Sequence, residues 1–138
     1  KVSAIQDAFL KQDFEHFLYP ETVGSLKELK RVADLAIFTQ GDVTYQQVKI
    51  KQSGLDRLVE FIYVFDNKIE HLDEICRFFP DREIWYIDNQ RTLLEDAVKV
   101  VPSLKTVWID RSTHPEQTNF SPNHTINTLD QLQDVIFS

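Results

Sequence analysis

Short apolar runs alternate with amphipathic stretches along most of this chain. The runs lie at 35–38, 61–65, 84–87 and 106–109. Each is mostly continuous rather than alternating, which is typical of parallel strands covered on both faces. Positions with helical spacing predict helices over 22–33, 43–53, 69–79 and 94–101, and a short strand over 124–127 and a helix over 129–136 follow. Strands that alternate with helices predict an α/β fold with a doubly wound parallel sheet.

The first 18 residues follow a different pattern. Ala4, Ala8 and Phe9 have helical spacing, and more apolar residues follow before Pro20 without a recognisable strand. This pattern predicts helices. We therefore interpret residues 1–18 as a piece of a separate helical unit and residues 19–138 as the α/β core.

Composition narrows the class of protein further. The chain has 138 residues, enough for one domain with a real core, and a net charge of −7 that argues against binding to nucleic acid or to an anionic membrane surface. No apolar run is long enough to predict a membrane helix. The single cysteine, Cys76, cannot form an intrachain disulfide, so we expect a cytoplasmic protein.

Polar residues with complementary chemistry follow three of the predicted strands. Thr39, Gln40 and Gly41 follow the first run, Lys68 follows the second, and Asp88 follows the third. Ligands of open α/β sheets bind at the carboxyl ends of the strands. A hydroxyl can donate to a phosphoryl oxygen, an ammonium can offset its charge, and a carboxylate can hold Mg²⁺. The sequence therefore predicts a site for a phosphoryl group beside a magnesium ion.

Three segments resemble the motifs of a known superfamily. The segments "LAIFTQGD" (35–42), "FDNKIEHLDEI" (65–75) and "IWYIDNQRTLLEDAVK" (84–99) resemble motifs II, III and IV of the haloacid dehalogenase-like (HAD-like) hydrolases, in that order. The resemblance implies that Thr39 binds the phosphoryl group and that Lys68 stabilises its charge. It implies that Gln40 and Gly41 line the substrate site. It also implies that Asp88 holds Mg²⁺, with Asn89 where many members carry a second acidic residue.

The nucleophile of the superfamily is not evident in the sequence. Motif I is an Asp-x-Asp sequence at the end of a central strand, and no Asp-x-Asp occurs in these 138 residues. A degenerate first strand ending at Asp7 is the less favoured interpretation. We expect instead that the central strand between those of motifs II and IV is missing, that residues 1–18 are a remnant of the helical cap, and that an upstream segment supplies the rest.

The resemblance implies a Mg²⁺-dependent phosphatase that acts on a small phosphorylated substrate through an aspartyl-phosphate, with this chain inactive by itself. A dehalogenase or a phosphomutase would share the same core motifs. One alternative is a non-catalytic HAD-like binding or regulatory protein. Another is a receiver-type signalling domain in which Asp66 or Asp88 accepts the phosphoryl group.

The same residues also have ordinary structural interpretations. Thr39 alone would be a turn former at a strand end, Lys68 alone a solvated residue at a helix start, and Asp88 alone a helix cap. Cys76 lies on the apolar face of its predicted helix, so we expect an unreactive buried thiol.

Overall fold

Six strands form one parallel sheet in the structure, a computed structural model that describes residues 2–6, 20–110 and 118–136. The strands are β1 (Val2–Gln6), β2 (Ala33–Gln40), β3 (Phe61–Phe65), β4 (Glu83–Asp88), β5 (Lys105–Ile109) and β6 (His124–Ile126). Their order across the sheet is β3-β2-β1-β4-β5-β6, and every neighbouring pair is parallel. The predicted fold class, a doubly wound parallel α/β sheet, is confirmed. Receiver-type domains have the order 2-1-3-4-5, so that alternative is wrong.

Helices connect the strands. They are α1 (Pro20–Lys30), α2 (Val43–Ser53), α3 (Leu72–Cys76), α4 (Arg91–Val100) and α5 (Leu132–Ile136). Single 3-10 turns lie at Leu55–Arg57, Ile69–His71 and Leu129–Gln131. The ends of α2 show how local sequence sets these bounds. The Asp42 carboxylate accepts a hydrogen bond from the Tyr45 N–H at 2.8 Å, and Gly54, with φ of 79°, closes the helix in the left-handed conformation.

Two apolar clusters cover the two faces of the sheet. On one face, α1, α2 and α5 pack against alternate strand residues, including Leu35, Ile37 and Ile87. On the other face, α3 and α4 pack against the intervening residues, including Phe38, Ile84 and Tyr86. The continuous apolar runs of the sequence are explained by this arrangement, because every residue of such a strand faces one of the two helical layers.

The central strand that we expected to be missing is present. Val2–Gln6 forms β1, which pairs with β2 on one side and with β4 on the other. Without it, both neighbours would leave backbone groups unpaired inside the sheet, at about 1–3 kcal/mol for each buried group. The segment fills this position because sheet pairing uses backbone groups, which any short apolar segment can supply.

The interpretation of residues 1–18 as a cap remnant is therefore wrong for Val2–Gln6, which belongs to the core sheet. Residues 7–18, with Asp7 among them, lie outside the described residues. Two helix bounds also differ from the prediction. The helix predicted over 69–79 is a 3-10 turn followed by five helical residues that end at Cys76. The helix predicted over 22–33 ends at Lys30, and Ala33 already begins β2.

Candidate functional site

The candidate site lies at the carboxyl edge of the sheet, where the strand order reverses between β1 and β4. Gln6, the last residue of β1, pairs with Ile37 of β2 and Ile87 of β4. Both neighbours extend beyond this row, β2 by three residues to Gln40 and β4 by one residue to Asp88. In open α/β sheets the binding crevice forms at such a reversal point. The topology thus brings the polar residues of β2 and β4 to that crevice.

Lys68 and Asp88 form a buried ion pair. The Lys68 Nζ lies 3.0 Å from the Asp88 Oδ2, and both side chains are 0% exposed. The interpretation of Lys68 as a solvated helix-start residue is therefore wrong. The capping interpretation of Asp88 describes one of its contacts, because Asp88 Oδ1 accepts a hydrogen bond at 2.8 Å from the N–H of Gln90, which directly precedes α4.

Tyr86 is the third member of this buried group, and the sequence analysis did not identify it. Its hydroxyl donates to the Asp88 Oδ2 at 2.7 Å, the same oxygen that accepts from Lys68. The Lys68 Nζ also lies 5.2 Å from the centre of the Tyr86 ring and 5.3 Å from that of Phe38, within the range of cation–π attraction. The sequence contained one signal for Tyr86, namely its position two residues before Asp88. Residues two apart in a strand lie on the same face of the sheet.

Burial changes the acid–base properties of this group. Desolvation lowers the pKa of Lys68 below its ordinary value, and the charge and hydrogen bond of Asp88 offset part of that shift. Desolvation raises the pKa of Tyr86 well above its ordinary value, and the charge of Asp88 acts in the same direction. The Tyr86 phenol therefore stays protonated at neutral pH, so that it can donate to the carboxylate.

Thr39 is buried at the end of β2 with an unused hydroxyl. Its side chain is 0% exposed, and its Oγ1 has no hydrogen-bond partner among the described residues. Buried hydroxyls are normally paired, because an unpaired one costs free energy. Thr106 shows the ordinary case, since its buried hydroxyl exchanges hydrogen bonds with Asn123 at 3.1 Å. An unused buried hydroxyl at the carboxyl edge suits a ligand that accepts a hydrogen bond.

Gln40 and Gly41 connect the end of β2 to the loop that carries Lys68. The Gln40 Oε1 accepts a hydrogen bond from the Lys68 N–H at 3.1 Å, and the Gly41 N–H donates to the Phe65 carbonyl at 2.9 Å. Gly41 has φ of 145°, and a Cβ there would lie 2.8 Å from the Gln46 Nε2. The contacts of both residues fix the loop that presents Lys68, a role that the sequence did not indicate.

A side chain of β5 contacts the loop that follows Asp88. The Trp108 Nε1 donates to the Asn89 carbonyl at 3.0 Å, and the Arg91 guanidinium lies 4.4 Å from the centre of the Trp108 ring. Trp108 pairs with Asp88 in the register of the sheet. This contact fixes the backbone on the far side of Asp88 from Lys68, and no signal in the sequence paired Trp108 with this loop.

Solved structures share the fold of this chain. A haloacid dehalogenase-like hydrolase from Burkholderia xenovorans LB400 is 25% identical with a TM-score of 0.70, and the alignment covers 91% of this chain and 61% of that chain. The magnesium-bound HAD-hydrolase YfnB from Bacillus subtilis is 21% identical with a TM-score of 0.70, covering 86% of this chain and 55% of that one.

The L-2-haloacid dehalogenase from Xanthobacter autotrophicus, with chloropropionic acid covalently bound, is 12% identical with a TM-score of 0.70, covering 87% and 61% of the two chains. The chain has the fold of the HAD-like hydrolases. The resemblance to the HAD-like superfamily is thereby confirmed, whereas the roles of the motif residues stay predictions. No protein-family model matches the sequence, and no curated protein matches it either. The chain spans 55% to 61% of the length of these HAD-like structures.

The HAD-like motifs can now be placed on the structure. The segment that resembles motif II includes the end of β2 with Thr39, the segment that resembles motif III carries Lys68 after β3, and the segment that resembles motif IV includes the end of β4 with Asp88. The structure brings Lys68 and Asp88 into direct contact and ties Gln40 to the Lys68 backbone. Thr39 lies at the same edge of the sheet, but within the described residues its hydroxyl forms no hydrogen bond with Lys68 or Asp88.

The fit of a magnesium ion to this HAD-like site depends on Asp88. Its Oδ2 already accepts two hydrogen bonds, whereas its Oδ1 accepts one from the Gln90 N–H and keeps one lone pair. Within the described residues no three His, Cys, Asp or Glu side chains gather as a metal cluster. Mg²⁺ is often held by one or two carboxylates, with waters and substrate oxygens as its other ligands. Asp88 therefore fits a single-carboxylate magnesium site.

None of the helices in the described part of the chain has the length and apolar character that a membrane crossing requires. The cytoplasmic location expected from the single cysteine stays a prediction.

Proposed function

We propose that this chain forms the core of a HAD-like hydrolase that cleaves phosphoric monoesters with the help of Mg²⁺. The observation that carries the proposal is the fully buried hydroxyl of Thr39, which has no hydrogen-bond partner among the described residues. It lies at the sheet edge that also holds the Lys68–Asp88 pair. A hydroxyl donor, a buried ammonium and a carboxylate suit a phosphoryl group and a hard cation. The magnesium in the Bacillus subtilis structure adds support for the metal.

Each residue has a specific role in this proposal. The Thr39 hydroxyl donates to a phosphoryl oxygen, and the Lys68 ammonium offsets the charge that develops on the phosphoryl group. Lys68 needs little rearrangement for this role, because its carboxylate partner and two aromatic rings already fix the Nζ position. Asp88 would hold Mg²⁺ through Oδ1, with Asn89 adjacent. When bound, the metal would neutralise phosphoryl charge.

Asp7 is the proposed nucleophile. It directly follows β1 in the sequence, and in the resemblance described above motif I stands at the end of the central strand. A carboxylate oxygen of Asp7 would form a bond to phosphorus while the bond to the leaving oxygen breaks, and water would then cleave the aspartyl-phosphate.

Position 9 carries Phe9 in place of the second motif I aspartate. Loss of general acid–base catalysis typically slows a step by about 10²–10⁴-fold. We therefore expect the aspartyl-phosphate to persist.

This expectation can be tested by labelling. The 138-residue chain is incubated with acetyl phosphate and Mg²⁺, and intact mass is measured over time. We expect the mass of one phosphoryl group to be added and retained for minutes, and we expect Asp7→Asn to abolish the label. Asp13→Asn is the matched control, because it removes another carboxylate of the N-terminal segment. A label that remains in Asp7→Asn would contradict the nucleophile assignment.

A second test uses the Thr39 hydroxyl directly. Thr39→Val removes an unpaired buried hydroxyl with little change in volume, so the ligand-free protein should become more stable by about 1 kcal/mol. Orthophosphate that binds a single site should stabilise the unmodified protein by about 2.7 kcal/mol when its concentration is about 100 times the dissociation constant. Thr39→Val should remove this stabilisation. Urea unfolding with and without phosphate measures both effects.

Thr106→Val is the control for this test. The Thr106 hydroxyl is buried and paired with Asn123, so its removal should destabilise the protein by about 1–3 kcal/mol and leave the phosphate effect intact. If Thr39→Val destabilised the ligand-free protein and kept the phosphate effect, the Thr39 hydroxyl would not be the phosphoryl donor.

Dehalogenation is a second candidate, because the Xanthobacter autotrophicus structure holds chloropropionic acid covalently bound. Halide release from 2-chloropropionate, without acetyl phosphate labelling, would favour it. A third outcome would favour the non-catalytic alternative, namely stabilisation by phosphate with neither labelling nor halide release.

A further inference from the structure

We propose that Tyr86 is a positioning residue that restricts Asp88 to one metal-binding oxygen and so sets a preference for Mg²⁺ over Ca²⁺. This inference rests on the proposed role of Asp88 as the metal ligand. It adds a determinant of metal selectivity on the buried part of β4, two residues before Asp88.

The hydrogen bonds of the Asp88 carboxylate carry the argument. Both lone pairs of Oδ2 are used, one by the Lys68 Nζ at 3.0 Å and one by the Tyr86 hydroxyl at 2.7 Å. Among the described residues, Oδ1 accepts a hydrogen bond only from the Gln90 N–H, at 2.8 Å. A cation can therefore bind Oδ1 alone, which is monodentate ligation.

Monodentate ligation discriminates between the two common hard cations. Mg²⁺ requires a near-octahedral shell at short distances and is served well by single carboxylate oxygens. Ca²⁺ is larger, takes more ligands and readily accepts both oxygens of one carboxylate. Without the Tyr86 hydroxyl, Oδ2 regains a lone pair and the carboxylate can turn towards a bidentate geometry, which helps Ca²⁺ more than Mg²⁺.

Tyr86→Phe removes the hydroxyl and keeps the aromatic ring, so it tests the role of the hydroxyl alone. The ring packs edge-on against Phe38 with centroids 5.7 Å apart and lies under the Lys68 ammonium, and phenylalanine can keep both contacts. Tyr63→Phe is the matched control. It removes the hydroxyl of a half-buried tyrosine on β3, whose ring stacks on Phe61 with centroids 6.4 Å apart.

The test has one readout without metal and one with metal. In the metal-free protein, the NMR signal of the Gln90 amide reports the orientation of Asp88 through its hydrogen bond to Oδ1. Calorimetric or thermal-shift titrations with MgCl₂ and CaCl₂ then give the dissociation constants for the full chain and both variants. Outer contacts of a metal ligand typically change metal affinity by about 10–100-fold.

We expect Tyr86→Phe to move the Gln90 amide signal and to shift the ratio of Ca²⁺ to Mg²⁺ affinity towards Ca²⁺ by about tenfold, whereas Tyr63→Phe changes neither. An unchanged ratio in Tyr86→Phe would overturn the proposal. If neither cation binds the unmodified chain, the proposal fails together with the metal role of Asp88, while labelling of Asp7 and the phosphate effect of Thr39 still decide the proposed hydrolase separately.

Discussion

At the scale of single residues, the Lys68–Asp88 pair is the feature with the largest expected effect on stability. Asp88→Asn keeps the size of the side chain but removes the negative charge that lies 3.0 Å from the fully buried Lys68 Nζ. Removing one partner of a buried pair typically costs about 3–5 kcal/mol, because a desolvated charge loses a compensating contact. The free energy of unfolding, measured in urea, should fall by that amount.

Asp73→Asn provides the comparison for Asp88→Asn. The Asp73 carboxylate pairs with Arg77 at 2.8 Å, one helical turn away, but the two side chains are 49% and 79% exposed. Exposed pairs of this spacing contribute about 0.3–0.5 kcal/mol. If the two substitutions cost the same, the Lys68–Asp88 pair would not be desolvated as the structure shows.

Cys76 gives a prediction about pH. Burial, and secondly the charge of Asp73, raise the pKa of this half-buried thiol to about 11. The ordinary value is 9.0, so at pH 8 the folded protein should contain about one hundredfold less thiolate than a free cysteine. Alkylation by iodoacetamide should be correspondingly slow and should accelerate as the pH rises towards 11. The unfolded chain in urea is the control, and equal rates in both states would contradict the shift.

At the scale of elements, the sequence predicted most strands but assigned β1 wrongly. The runs that became β2 to β5 are continuous and apolar, which identifies a strand buried on both faces. Val2–Gln6 is interrupted by the polar Ser3, and its spacing fits a helical stripe continuing into Ala8 and Phe9. The motif order predicted that a central strand must lie between β2 and β4. Which segment forms that strand depends on pairing between residues distant in sequence, which the sequence pattern does not reveal.

The assignment of β1 can be tested with proline. Ile5→Pro removes a backbone donor from a strand that is paired on both sides, so we expect a loss of about 1–3 kcal/mol in the free energy of unfolding. Ile5→Val keeps the backbone donor and the β-branched shape, and should cost less. An unchanged urea midpoint in Ile5→Pro would mean that the segment does not lie inside the sheet.

At the scale of the whole molecule, the site depends on parallel strands that end at the same edge. Thr39, Lys68 and Asp88 are distant in sequence, and their convergence was predictable because each follows an apolar strand. Strand periodicity placed Tyr86 and Asp88 on one face, but their hydrogen bond, the Gln40 bond to the Lys68 backbone and the Trp108 contact were not predictable. They depend on register and on side-chain packing, which a single sequence does not specify.

The two helical layers share this one sheet, which predicts that they unfold together. Trp85 lies in the cluster formed with α1, α2 and α5, and Trp108 packs against the cluster formed with α3 and α4. The variants Trp85→Phe and Trp108→Phe therefore leave one fluorescent reporter in each layer. Because residues of β4 alternate between the layers, loss of either layer exposes the strand that supports the other.

In each single-tryptophan variant, the urea midpoint measured by fluorescence should coincide with the midpoint measured by far-UV circular dichroism of the same variant. This internal comparison removes the effect of the substitution on stability. A fluorescence transition that precedes the loss of circular dichroism in only one variant would show that its layer opens separately. Such a layer would be the α3–α4 side if Trp108 reports first, and the Lys68–Asp88 pair would then lose its burial before the sheet itself unfolds.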